Sequence, residues 1–275
     1  MIRTGLVSLL VLFASSASSS AQTSLFRWQE GQVLTYRIEH VTSASETVGK
    51  NTTETKTKLN VTKQWRTVSL DAAGVATLEL SLAALRLETT KPSGGLLIFD
   101  STDEAKSDPQ MSEQLKKYVG HPLALLRMDG RGKIIEVKES KHGPASRFES
   151  EPPFVLVFPN AALQEGMTWE RPYQITIDPP QGTGEKYDAV QQCVCKSVSP
   201  DTATFALTTT FKTQPESLLD RVPLLQLQPQ GEIVFDVQAG RLRSATLRVD
   251  KELTGHQGEG SSYRFQSLYT EEIQP

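Results

Sequence analysis

Any chemistry in this chain would have to come from few side chains. The sequence offers four histidines, two cysteines and scattered carboxylates. His40 continues a face shared by Leu34, Tyr36 and Ile38, His121 follows Gly120 at a helix end, and His142 and His256 sit in glycine-flanked loops. No H-E-x-x-H or comparable spacing pairs two of them as metal ligands, so no metal is expected. Cys193 and Cys195 are two apart in the strand-like run KYDAVQQCVCKSV. Alternation sets both on one face with Cα atoms about 6.5–7 Å apart, at the edge of disulfide geometry. They read as structural thiols or an incidental disulfide. Without a second Cys or His cluster they are a weak metal or redox signal.

Two adjacent carboxylate pairs, Glu149 with Glu151 and Glu271 with Glu272, are of the type used in general acid–base catalysis. Such pairs are common on solvated faces, and that placement is expected here. Glu30 and Glu165 each precede a glycine, where a carboxylate can accept backbone N–H bonds. GRGK at 130–133 lacks the longer glycine frame and following helix of a phosphate loop, and reads as a hairpin turn. GEGSSY at 258–263 has the wrong glycine spacing for a nucleophile elbow and leads into the last strand. Asn51-Thr52-Thr53 and Asn60-Val61-Thr62 match a glycosylation sequon, which matters only in a eukaryotic secretory route. No catalytic residue and no cofactor is assigned.

The elements that would position these groups are strands. Leu78, Leu80 and Leu82 alternate with Thr77, Glu79 and Ser81; Ala203, Phe205, Leu207 and Phe211 share a face opposite Thr204, Thr208 and Thr210. Period-2 patterns of this kind bury one side and wet the other, which suits antiparallel sheets. The strands recur in order. Gln29-Glu30-Gly31 leads to Tyr36-Arg37-Ile38, and Gln164-Glu165-Gly166 leads to Tyr173-Gln174-Ile175. Each then has a long strand (KLNVTKQWRTVSL; EKYDAVQQCVCKSV), a short turn, a third strand and a closing hairpin turning at Asp129–Gly132 or Asp236–Gly240. A short helix precedes each closing hairpin, in DPQMSEQLKKYVG and at 215–220. The Thr-rich, charged hairpin around Val48–Lys58 looks built to resist edge pairing. Phe154 to Phe158, between Pro152-Pro153 and Pro159, is expected as an edge strand across the junction. The fold class is therefore mainly β: curved antiparallel sheets built from two related β units, 22–150 and 151–275, with one or two short inserted helices.

Residues 1–21 carry Arg3, an apolar run from Leu6 to Ala14 and a small-residue tail ending Ser19-Ser20-Ala21, the order of a cleavable secretory signal. The run is about half the ~20 residues a membrane-spanning helix needs, and no other stretch is longer. Cleavage after Ala21 predicts a periplasmic or secreted chain with no transmembrane segment. A net charge of −3, with 22% charged residues, argues against nucleic acid and polybasic membrane contacts.

The lead-in Phe26-Arg27-Trp28-Gln29-Glu30-Gly31 and the later Phe158-Pro159, Leu163-Gln164-Glu165-Gly166 and Trp169 resemble motifs of an exported bacterial protein family of unknown function. In that family an "EG" or "GxxW" step precedes the first strand of each repeat. The plan is also loosely similar to periplasmic lipoprotein-carrier folds, a likeness of fold that transfers no function. The resemblance supplies no catalytic residue.

Three function classes stay open. One is a non-enzymatic exported protein binding an apolar small molecule in its concave side, with Leu78, Leu80, Phe205 and Phe211 as candidate ligand-facing residues. Another is an envelope module that partners a protein. The third is a hydrolase, which a buried Glu or His with a displaced pKa in a cleft would favour.

Overall fold

The computed structural model describes residues 25–91, 94–143, 145–177 and 182–275, so the expected signal segment 1–21 lies outside the described residues. The first unit contributes β1 (Val33–Val48), β2 (Asn51–Leu70), β3 (Ala76–Thr90), β4 (Leu96–Asp100), helix α1 (Pro109–Leu115), β5 (Pro122–Met128) and β6 (Ile134–Ser140). The second contributes β7 (Thr168–Ile177), β8 (Glu185–Val198), β9 (Thr202–Phe211), helix α2 (Leu218–Leu225), β10 (Gln230–Asp236), β11 (Arg241–Thr254) and β12 (Ser261–Ile273). All these strands belong to one unclosed antiparallel sheet in the order β6-β5-β3-β2-β1-β12-β11-β10-β9-β8-β7, with β4 alongside the far half of β3. Within that row β11-β10-β9-β8-β7 repeats the arrangement β6-β5-β3-β2-β1, and β12 joins the two runs.

Alternation drives the packing as the sequence pattern implies. Leu34, Tyr36 and Ile38 are buried on one face of β1, as are Ala203, Phe205 and Leu207 on β9. Local geometry also repeats. Gly31 and Gly166 both take φ 79°, a left-handed value that favours glycine. Each then donates its N–H across to the second strand, to the Thr67 and Cys195 carbonyls at 2.9 and 2.8 Å. The Thr67 and Cys195 N–H groups return the bond to Gln32 and Met167. A register shift follows at Thr67/Ser69 and at Cys195/Ser197. Glycine and backbone make this step; the expected role of the Glu30 and Glu165 carboxylates does not appear among the described hydrogen bonds.

The sheet must curl strongly. The Leu25 and Phe26 N–H groups both reach the Gly130 carbonyl, and Arg27 N–H reaches Gly240 O, each at 2.9 Å. Three residues, spanning roughly 10 Å at most, thus tie together the closing turns of both units. Phe26 packs edge-on against Phe235 (5.0 Å) and near Phe158 (5.7 Å). Gly132 sits beneath this junction with φ 93°, where a Cβ would lie 2.4 Å from the Leu156 carbonyl oxygen. Both hairpins turn where expected: Asp129 accepts from the Arg131 and Lys133 N–H groups, and Asp236 from Ala239 N–H.

Two expectations change. The segment 152–158 is no strand. Its backbone closes turns (Val155 N to Glu151 O, Leu156 N to Pro153 O), and Phe154, Val155, Leu156 and Phe158 plug the core. With the preceding helical turn Ala145–Ser150 it forms a strap in the gap between the terminal strands β6 and β7, held by Phe158 N to Arg131 O and Trp169 Nε1 to Val157 O, both 2.8 Å. Helix α2 starts at Leu218 rather than Pro215, because Ser217 takes the cap and accepts from Asp220 N–H. The Thr-rich, charged hairpin does form an edge: residues 51–56 of β2 pair with β1 alone and are exposed, and pairing with β3 starts only at Thr57. Among the described residues, no helix is long and apolar enough to cross a membrane.

Candidate functional site

A cavity of about 490 Å³ opens on the inner face where the two units meet. Its walls come from Ile38 of β1, Leu59 and Val61 of β2, Leu80 and Leu82 of β3, Leu123 of β5, and Leu247 and Val249 of β11. Tyr118, Gln226 and Pro229 contribute from the segments after each helix, and Arg147 to Pro152 of the strap form another side. Volume and apolar lining match a small-molecule pocket, which also needs a few convergent polar groups.

Those groups are present. Lys63 follows Leu59 and Val61 on the inward phase of β2, and Glu271 follows Phe265, Ser267 and Tyr269 on β12. The two strands flank β1, so both side chains reach over it, and Lys63 Nζ stands 2.7 Å from Glu271 Oε1. Lys63 also donates to the Pro152 carbonyl at 3.0 Å, tying the strap to the sheet. Tyr269 Oη donates to Glu271 Oε2 at 2.5 Å. Both charged side chains are almost wholly buried (6% and 0% exposed). A buried ion pair of this kind is weak evidence for stability, because desolvation offsets much of the attraction. Its retention in an otherwise apolar face therefore points toward organisation of the site.

The surrounding groups feel the low dielectric. Burial, with the nearby Glu271 charge adding, pushes the Tyr36 and Tyr269 hydroxyls far above the usual phenol range. Burial holds His40 below the ordinary imidazole value, with its ring edge-on to Tyr269 at 5.7 Å. Glu151 is raised from 4.5 by burial and by Glu271, against the opposing pull of Lys63 and Arg147.

Of the four apolar residues singled out from alternation, only Leu80 lines this cavity. Leu78 and Phe205 are fully buried in the main core, so their inward phase serves packing. Phe211 belongs to a separate cluster with Tyr187, Tyr173 and Leu224. The carboxylate pairs are split: Glu151 and Glu271 turn inward to one site, whereas Glu272 faces solvent near Arg37 and Glu149 meets Arg171 at 3.5 Å. Their solvated placement holds for only one member of each pair. Lys63 escaped the sequence reading altogether, although a charge at an apolar phase was the available signal.

The remaining candidates are structural. Cys193 and Cys195 are buried free thiols, and burial pushes Cys193 up to about 12 and Cys195 above its ordinary value, which disfavours the thiolate at both. His256 contacts Glu46 at 2.9 Å beneath the β11–β12 turn, and His142 packs against Tyr118. Among the described residues, no three His, Cys, Asp or Glu side chains gather as a metal site.

No protein-family model and no curated protein matches the chain. Among solved structures it is similar to DynF from the dynemicin biosynthesis pathway of Micromonospora chersina, at 8% identity over 89% of this chain and 81% of that one, TM-score 0.22. It is also similar to an outer membrane channel from Pseudomonas putida F1, at 7% identity over 91% and 98%, TM-score 0.22.

Proposed function

We propose that this is a non-enzymatic, exported β-rich protein that holds an apolar small molecule in the cavity at the seam of its two units. The observation that carries this reading is the cavity itself: about 490 Å³, walled by leucine, isoleucine and valine from five strands, with a minority of polar side chains among them. The strap supports it further, since a segment pinned by Lys63 and Trp169 keeps the space from collapsing. Native mass spectrometry of protein purified from its own host tests the reading. A reproducible adduct, with a thermal shift on adding lipid extract to stripped protein, is expected; ligand-free spectra and no shift would overturn it.

One observation favours a second reading. Glu151, a carboxyl held toward its neutral form in a cleft, has the character of a general acid. Lys63 and Glu271 are already committed to each other, which leaves such an acid without an evident partner base. A turnover screen with ester and glycoside substrates separates the readings: activity lost in Glu151→Gln would favour catalysis.

A further inference from the structure

We infer that the ligand of this cavity is a single-chain amphiphile with an anionic carboxylate head, which docks at Arg147 and Glu151 while its hydrocarbon chain lies along the leucine and valine wall. This inference rests on the binding reading above and names its ligand class.

The charge balance of the lining selects the head. Lys63 is spent on Glu271 and on the Pro152 carbonyl, and Glu271 on Lys63 and Tyr269. His40 is held neutral by burial. Arg147 is different: among the described residues no carboxylate lies within ion-pair distance of it. Its Nη1 donates to the His142 carbonyl, its guanidinium lies 4.7 Å over the Phe148 ring, and its Nε is buried with no acceptor. Its charge therefore has no counter-ion of its own at the cavity wall, and an incoming anion would supply one.

Glu151, four residues along the strap, lines the same space. Burial favours its neutral acid, which carries an O–H donor. A ligand carboxylate would meet the Arg147 guanidinium, a charge-assisted donor, with Glu151 able to add an O–H donor in its acid form. An amine head would face the Arg147 guanidinium with like charge. A neutral hydrocarbon would leave the Arg147 charge without a counter-ion.

The remainder of the cavity selects the tail. Leu59, Val61, Leu80, Leu82, Leu247 and Val249 present no donor or acceptor on their side chains. A volume of about 490 Å³ suits one chain better than a two-chain phospholipid.

Displacement of the neutral apolar fluorophore N-phenyl-1-naphthylamine from delipidated protein tests this. Competitors of one chain length are dodecanoate, dodecanol, dodecylamine and dodecyl phosphate, below their aggregation limits. Dodecanoate should displace the probe at about tenfold or more lower concentration than the alcohol or amine, the worth of one charge-assisted hydrogen bond. Arg147→Gln should remove that preference while the probe still binds, and Arg147→Lys should keep part of it. Equal displacement by all heads would overturn the head assignment and leave the cavity reading standing. Stronger displacement by dodecyl phosphate would overturn the carboxylate class. A probe that never binds would overturn both readings.

Discussion

The two units place a buried polar residue at the same point and treat it differently. Counting four residues back from Thr67 and Cys195, whose backbones make matching bonds to the glycine step, gives Lys63 in β2 and Gln191 in β8. Their partners across the ladder are Tyr36 and Arg171 on one side, Leu82 and Thr209 on the other. Each position anchors the same strap. Lys63 binds the Pro152 carbonyl directly. Gln191 accepts from Arg171, which in turn binds the Glu149 carbonyl. Around Gln191 the space is filled: Arg171 stacks 4.6 Å over the Tyr173 ring, and Ile175, Ala189 and Leu224 pack beside it. Around Lys63 it stays open. Related backbones can thus serve one unit as scaffold and the other as site, with the difference set by a handful of inward side chains.

The largest effect expected from breaking this comparison is at Lys63. Lys63→Met leaves the Glu271 carboxylate buried without its cation, a loss of about 3–5 kcal/mol. Pairing it with Glu271→Leu removes the orphaned charge and should restore most of the stability, since a well-packed apolar replacement is often neutral. Urea unfolding of the two single variants and the double variant reads this as a coupling energy. A double variant as weak as Lys63→Met would show that the pair contributes through strap attachment alone.

In the second unit, Arg171→Met should cost less, about 1–3 kcal/mol. It strips a hydrogen-bond donor from buried Gln191 but leaves no deeply buried charge, because Glu149 is half exposed. Probe binding in the cavity should be unchanged. Weakened probe binding in folded Arg171→Met would show that the two anchors act on the strap as one unit, and the division into scaffold and site would fail.

Much of this arrangement could be read from the chain. Strand alternation, both closing turns, the short helix in DPQMSEQLKKYVG and the order of elements depend on near neighbours, and near neighbours are what a sequence displays. The breaks at Pro152-Pro153 and Pro159 were legible, but the strap between them was not. Its apolar residues suggested a strand because burial by a plug and burial by a sheet demand the same side chains. The seam was not legible, since nothing local dictates that β12 lies between β1 and β11. Without that pairing, Glu271 and Lys63 are two unrelated charges more than two hundred residues apart, and Leu78 and Phe205 are indistinguishable from Leu80.

The smallest effect expected concerns the open side's own penalty. Glu151 sits above its ordinary 4.5 chiefly because burial disfavours the carboxylate; Glu271 adds to this, while Lys63 and Arg147 pull back. A carboxyl whose pKa rises on folding binds its proton more tightly in the folded chain. Its contribution to stability is therefore complete below about 4.5 and is lost as the pH climbs through the raised value. Glu151→Gln keeps the shape and removes the titration. Its melting temperature relative to the parent should increase across that window and level off above it, and the change should be absent below pH 4.5. For a chain of this length, each kcal/mol gained corresponds to about 2–4 °C. A parent that instead gains on the variant with rising pH would mean that Lys63 and Arg147 hold Glu151 as the carboxylate. The cavity would then carry its own anion, and Arg147 would need none from a ligand.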